Sequence, residues 1–73
     1  MTQPRVADYG LTRREIDVLE LIAEDMTAVQ IAAVLEISAR TVEQHRASIS
    51  KRLGCRTPAG AMVKALRAGL IRF

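Results

Sequence analysis

Residues able to do chemistry are few in this chain, and most of them gather in one stretch. Residues 38 to 53 read Ser-Ala-Arg-Thr-Val-Glu-Gln-His-Arg-Ala-Ser-Ile-Ser-Lys-Arg-Leu. At the helical step of about 100° per residue, Val42, Ile49 and Leu53 share one side, with His45 at its margin. The opposite side carries Arg40, Glu43, Gln44, Ala47, Ser48 and Lys51. Donors and acceptors without a large apolar group among them suit a surface pressed into a groove lined with hydrogen-bonding edges. Plain solvation competes with that reading, since most amphipathic helices keep a polar face in water.

Catalytic chemistry has little to stand on. His45 is the only histidine, and no second His or Cys lies at metal-ligand spacing from it. The Thr and Ser hydroxyls and Cys55 lack a neighbouring base in the pattern a nucleophile needs. Asp17 and Glu20 read as a solvated pair on one helix face, and no Gly-rich phosphate loop is present. His45 reads as a packing and phosphate-adjacent residue, not a proton shuttle. The chain is therefore expected to be no enzyme, with neither metal nor cofactor and no small-molecule ligand.

Length and composition set the scaffold. Seventy-three residues make one domain near the lower limit for a self-sufficient core. Apolar residues are 49% of the chain but include no Trp, one Tyr and one Phe, so the core must be an aliphatic helix junction. No apolar run approaches the roughly 20 residues that span a membrane, and no signal peptide is expected. The single cysteine, Cys55, reads as a small buried thiol in a reducing, cytoplasmic setting. The net charge of +3 conceals a division. Residues 1–37 hold three basic groups against seven acidic ones, whereas residues 38–73 hold eight basic groups against Glu43 alone. A segregated positive field of this kind draws polyanions and speeds their encounter.

Four helices are predicted, with residues 1–10 as a tail or linker end containing Pro4 and Gly10. Thr12-Arg13-Arg14-Glu15 fits a capping box and opens the first helix. Ile16, Val18, Leu19 and Ile22 form its buried side, and Asp25 ends it. Thr27-Ala28-Val29-Gln30 repeats the box for a short helix over roughly residues 28 to 35, with Ala32 and Ala33 allowing a close crossing. Glu36-Ile37-Ser38 makes a tight turn in which Ile37 plugs the core and Ser38 caps the third helix. Two helices so joined, the second longer and more polar outside, describe a helix-turn-helix over about residues 28–47. Gly54 stops the third helix, Thr57-Pro58 opens a fourth, and Gly69 ends it. Leu70, Ile71 and Phe73 are expected to fold back on the core.

The order of residues also resembles a known family. Leu11-Thr12-x-Arg14-Glu15-x-x-Val18-Leu19-x-Leu21-Ile22-Ala23 is similar to the opening of the LuxR-type DNA-binding domain, the class shared by GerE, NarL and FixJ. Ile31-Ala32-x-x-Leu35-x-Ile37-Ser38-x-x-Thr41-Val42-x-x-His45-Arg46, then Lys51-x-Leu53-Gly54 and Gly69-Leu70-Ile71, continue it in register. The resemblance covers residues 11 to 71 and implies an all-α, four-helix domain whose third helix, residues 39–53, enters the major groove of double-stranded DNA. It places Glu43, Gln44 and Ala47 against bases. It sets Thr27, Thr41 and Lys51 near phosphates, and His45 and Arg46 match common family residues. Arg40 and Ser48, outward on the same helix, join the expected backbone set. The fourth helix, about residues 58–69, is the pairing helix of the family, and Val63, Leu66 and Arg67 are placed at or near that surface.

Departures from the family pattern are informative. Many members carry Gly where this chain has Asp25 and Glu36, which predicts strained or differently set turns. Many carry Lys in place of Glu43, although Thr-Val-Glu-x-His-Arg-Ala is nearer the FixJ-like branch. The implied function is that of a bacterial transcription regulator, or the output domain of a response-regulator or ligand-sensing protein. It would act at the nucleoid as a homodimer on inverted repeats, with RNA polymerase as a further partner. Two alternatives remain: a sigma-factor-like promoter-recognition module, and a protein-interaction module using the fourth helix.

Overall fold

Residues 9–71 are described by a computed structural model, and they form α1 (Arg13–Ala23), α2 (Ala28–Leu35), α3 (Ala39–Leu53) and α4 (Pro58–Arg67). No strand occurs among the described residues. Most of the 1–10 tail and Phe73 lie outside them, so the expectations for those segments are not addressed by the structure.

All four helices are punctuated by the same two devices. At each start, an extended Thr or Ser (Thr12, Thr27, Ser38, Thr57) accepts a hydrogen bond from the backbone N–H three residues on. That bond satisfies one of the amides a helix leaves unpaired at its first turn. At each end, a residue with positive φ (Asp25, Glu36, Gly54, Gly69) reverses the chain. The N–H of the next residue then reaches the carbonyl five positions back: Met26 to Leu21, Ile37 to Ala32, Cys55 to Ser50, Leu70 to Ala65. This is the Schellman closure, and each of Met26, Ile37, Cys55 and Leu70 packs its apolar side chain against the core. The sequence expectations for starts and stops hold within one or two residues. The two non-glycine reversals are real, with φ of 66° at Asp25 and 59° at Glu36.

The core is built around α3, which packs on α1, α2 and α4 alike. Val18 and Leu19 come from α1, Ile31 and Ala32 from α2, Val42, Ile49 and Leu53 from α3, and Ala61 and Ala65 from α4; Ile71 closes the end. Fully burying a Leu, Ile or Val contributes about 1.5–3 kcal/mol, so these aliphatic positions fix the helix arrangement. Ala33 departs from expectation: it is exposed, and Ala32 alone lines the crossing. The reason is phase, since Ile31 and Leu35 set the inward direction of α2 and Ala33 falls opposite. Cys55 is only half-buried, with its Sγ 3.6 Å from the Leu53 carbonyl.

Candidate nucleic-acid interface

The α2–α3 pair, joined by Glu36–Ser38, is a helix-turn-helix, and its outer surface belongs to α3. Arg40, Glu43, Gln44, Ala47 and Lys51 are all exposed and follow one another along that helix. The hydrophobic residues Val42, Ile49 and Leu53 hold the opposite side in the core, so the row's direction follows from burial. Glu43, Gln44 and Ala47 are brought together within two turns, as their spacing predicts. Glu43 does not pair with Arg40; its carboxylate lies 3.7 Å from the Arg46 guanidinium. Such a surface pair at i,i+3 contributes little to stability and leaves Glu43 open to other partners.

The other expected contacts sort by position. Thr27 is exposed at the start of α2, where its hydroxyl accepts from the Gln30 N–H and keeps a proton to donate. Thr41 lies half-buried in the first turn of α3 and shares a hydroxyl hydrogen bond of 2.9 Å with Ser38. His45 and Arg46 are half-buried on the flanks of the exposed row. On α4, Val63 and Arg67 are exposed in line with Ala59, whereas Leu66 is half-buried against the core. Leu66 therefore backs the α4 surface from beneath, and the exposed stripe is Ala59, Val63 and Arg67. Beside it, the Lys64 ammonium sits 5.3 Å from the centre of the Tyr9 ring, a cation–π contact.

Ser48 requires a correction. Expected to face outward toward phosphate, it turns to the protein and donates its hydroxyl proton to Glu15 Oε2 at 2.8 Å. It lies about 100° round the helix from Ala47, toward α1, where a buried carboxylate outcompetes solvent for its hydroxyl.

With that geometry in place, comparison with known proteins is decisive. The profile of the GerE family, described as "Bacterial regulatory proteins, luxR family", matches residues 9–65. The chain belongs to the luxR family. Within it, the chain is 41% identical over 59 residues to the spore germination protein GerE of Bacillus subtilis, covering 81% of this chain and 80% of GerE. The structure of the transcription factor GerE superposes with a TM-score of 0.83 at 31% identity, over 85% of this chain and 92% of that one. An uncharacterized response regulatory protein of Escherichia coli, YgeK, is 41% identical over 64 residues; they are 88% of this chain but 44% of YgeK. The chain thus spans less than half the length of that relative. A Vibrio VqmA–ligand–DNA complex matches with a TM-score of 0.80 at 28% identity, over 96% of this chain and 31% of VqmA. The luxR-family chain is therefore an all-α helix-turn-helix DNA-binding domain of bacterial transcription regulation.

One part of this luxR domain was hidden from sequence reasoning. Glu15, expected only as a capping-box acid, is 4% exposed and is the one buried charged residue among those described. Its Oε1 accepts from the Thr12 N–H at 2.9 Å and from Arg52 Nη1 at 3.3 Å, while Oε2 takes the Ser48 hydroxyl. Arg52 also donates to the Gly10 carbonyl. Burial pushes the Glu15 carboxyl up, but the Thr12 N–H, the Ser48 hydroxyl and the Arg52 charge outweigh it. They hold the carboxyl below its ordinary value. The available signal was the i,i+4 spacing of Ser48 and Arg52, which puts both on one margin of α3.

Proposed function

We propose that this domain reads double-stranded DNA by placing α3 in the major groove, as a homodimer on inverted half-sites. The observation that supports this most directly is the exposed row Arg40, Glu43, Gln44, Ala47, Lys51 on the most cationic half of the chain. Gln44 suits a bidentate pair with adenine, Glu43 an amino group of cytosine, and Ala47 a thymine methyl. Thr27, Arg40, Thr41, His45, Arg46 and Lys51 are the backbone-facing groups, the first of them at the positive end of α2 where phosphate is favoured. Ser48 is withdrawn from that set.

Pairing at or near Val63, Leu66 and Arg67 of α4, with exposed Ala59 in line with Val63 and Arg67, fits the same reading. The sequence holds no Asp or Glu after Glu43, so two α4 helices would bring Lys64 and Arg67 of both copies together without a countercharge. Phosphates supply it, so the pair forms on DNA and the free domain stays monomeric or weakly paired. The domain acts in the cytoplasm as the output part of a response-regulator or ligand-sensing protein, with RNA polymerase as its further partner. Selection of bound sites from a random duplex pool tests the reading, with binding then followed against salt. Inverted repeats are expected, and Lys51→Ala should reduce the log–log salt slope by about 0.9 for all sequences alike. Absence of salt-sensitive duplex binding would point instead to a protein-interaction module using α4. One domain per inverted repeat at saturation would exclude the dimer.

A further inference from the structure

Capping does not account for Glu15. At the start of α2 the same box is completed by Gln30, whose exposed neutral amide oxygen accepts from the Thr27 N–H at 2.8 Å. A cap therefore needs neither charge nor burial nor a second oxygen. Glu15 has all three, and its additional partners both come from α3, more than 30 residues away in sequence: Ser48 and Arg52. Burying a carboxylate is costly unless it is fully paired, so this one must be held where α3 presents those two groups together.

We infer that Glu15 is the positioning residue of α3: through Ser48 and Arg52 it fixes the roll and axial register of that helix, and so the direction of the base-reading row. Ser48 and Arg52 are one turn apart, separated by about 6 Å along the axis. Two contacts at that spacing to one carboxylate oppose both rotation about the axis and sliding along it. Aliphatic packing alone is more permissive, because Val42, Ile49 and Leu53 present smooth surfaces that resist separation more than rotation. Ser48 directly follows Ala47 and is one turn from Gln44, so a change of roll at Ser48 displaces both reading side chains by a comparable angle. Arg52 adds a further tie by holding the Gly10 carbonyl, which places the chain entering α1 under the same lock.

The inference rests on α3 being the DNA-reading helix, and the test separates the two. Ser48→Ala keeps the Thr12–Glu15 cap, and Glu15→Gln keeps a neutral capping oxygen. Each is assayed for affinity toward a selected site and toward random-sequence duplex, and for the orientation of α3 against α1 in the free domain by NMR residual dipolar couplings. The expected result is a site-to-random affinity ratio lower by roughly tenfold, the scale of one misplaced base contact, with random-sequence affinity retained and a measurable change in the roll of α3. Glu15→Ala should exceed both, and Glu15→Gln should recover part of its loss. An unchanged ratio, or an α3 that keeps its orientation in both variants, overturns the inference whatever happens to melting temperature. A wild-type domain without site preference would refute the DNA reading instead. The α3 orientation would then decide the role of Glu15 by itself.

Discussion

Helices α1 and α2 begin and end alike yet are built for different tasks. Each opens on a Thr-x-x-acid-or-amide box, and each closes on a left-handed residue other than glycine. In α1 the box acid is buried and bonded to α3; in α2 the corresponding Gln30 is exposed and bonded to Thr27 of its own box. At the closing ends, α1 uses Asp25 and α2 uses Glu36 for nearly the same φ. Asp tolerates this region because its short side chain can bond locally, whereas Glu has no such compensation. A local motif can thus be identical in sequence logic while its energetic weight is set by what lies across from it. Both helices pack on α3, but only the box of α1 is bonded to it; the box of α2 serves the first turn of its own helix.

The largest expected effect breaks that contrast at the boxes. Glu15→Ala should destabilise the domain by about 2–3 kcal/mol, because it removes a cap and leaves Ser48 and Arg52 without their partner. Arg52 is 41% exposed and recovers some hydration, which keeps the loss below that of a wholly buried pair. Gln30→Ala should cost only about 0.5–1 kcal/mol. Urea unfolding of both variants checks the difference, and equal losses would show that the tie to α3 adds nothing.

Acid titration sharpens the same comparison. The Glu15 carboxyl is held below its ordinary value in the folded state, so the stability it contributes is present above the unfolded value and lost as pH falls through the folded one. Wild-type stability should begin to fall below about pH 5 and continue to fall at lower pH. Glu15→Gln should lose part of that dependence, whereas Gln30→Ala should keep it. Unfolding free energies measured from neutral to acid pH for the three proteins would show whether the Glu15 carboxylate carries this share.

Smaller effects test the closing ends. Glu36→Gly should stabilise by about 1 kcal/mol by relieving a left-handed Glu, and Asp25→Gly should gain less. In a domain of this size each ~1 kcal/mol moves the melting temperature by about 4–8 °C, so thermal unfolding resolves the two. The ranking fails if Asp25→Gly gains as much as Glu36→Gly.

The smallest change makes the second box like the first. Gln30→Glu should add about 0.3–0.5 kcal/mol by setting a negative charge at the positive end of α2. It should also weaken DNA binding at low salt, because the new charge lies beside Thr27, which is proposed to face phosphate. A gain in both stability and affinity would mean that this end of α2 stands away from the DNA.

Much of the molecule was legible in the sequence, for a physical reason common to all its parts. Capping hydroxyls, left-handed closures and apolar periodicity are local: each acts over three to five residues, so the residues that carry them are neighbours in the text. Thr12, Thr27, Ser38 and Thr57, the stops at Gly54 and Gly69, and the outward row from Arg40 to Lys51 could be read that way. Residues at the edge between faces could not be. Ser48 lies where periodicity gives no sign, and its direction depends on what a neighbouring helix presents. The sequence by itself determined four punctuated helices and which face of α3 is polar. Only the tertiary structure decided that the Glu15 carboxylate is buried, that Ser48 and Arg52 meet it, and hence how that face is aimed. Pairing of groups more than thirty residues apart is settled by packing, and no local propensity encodes it.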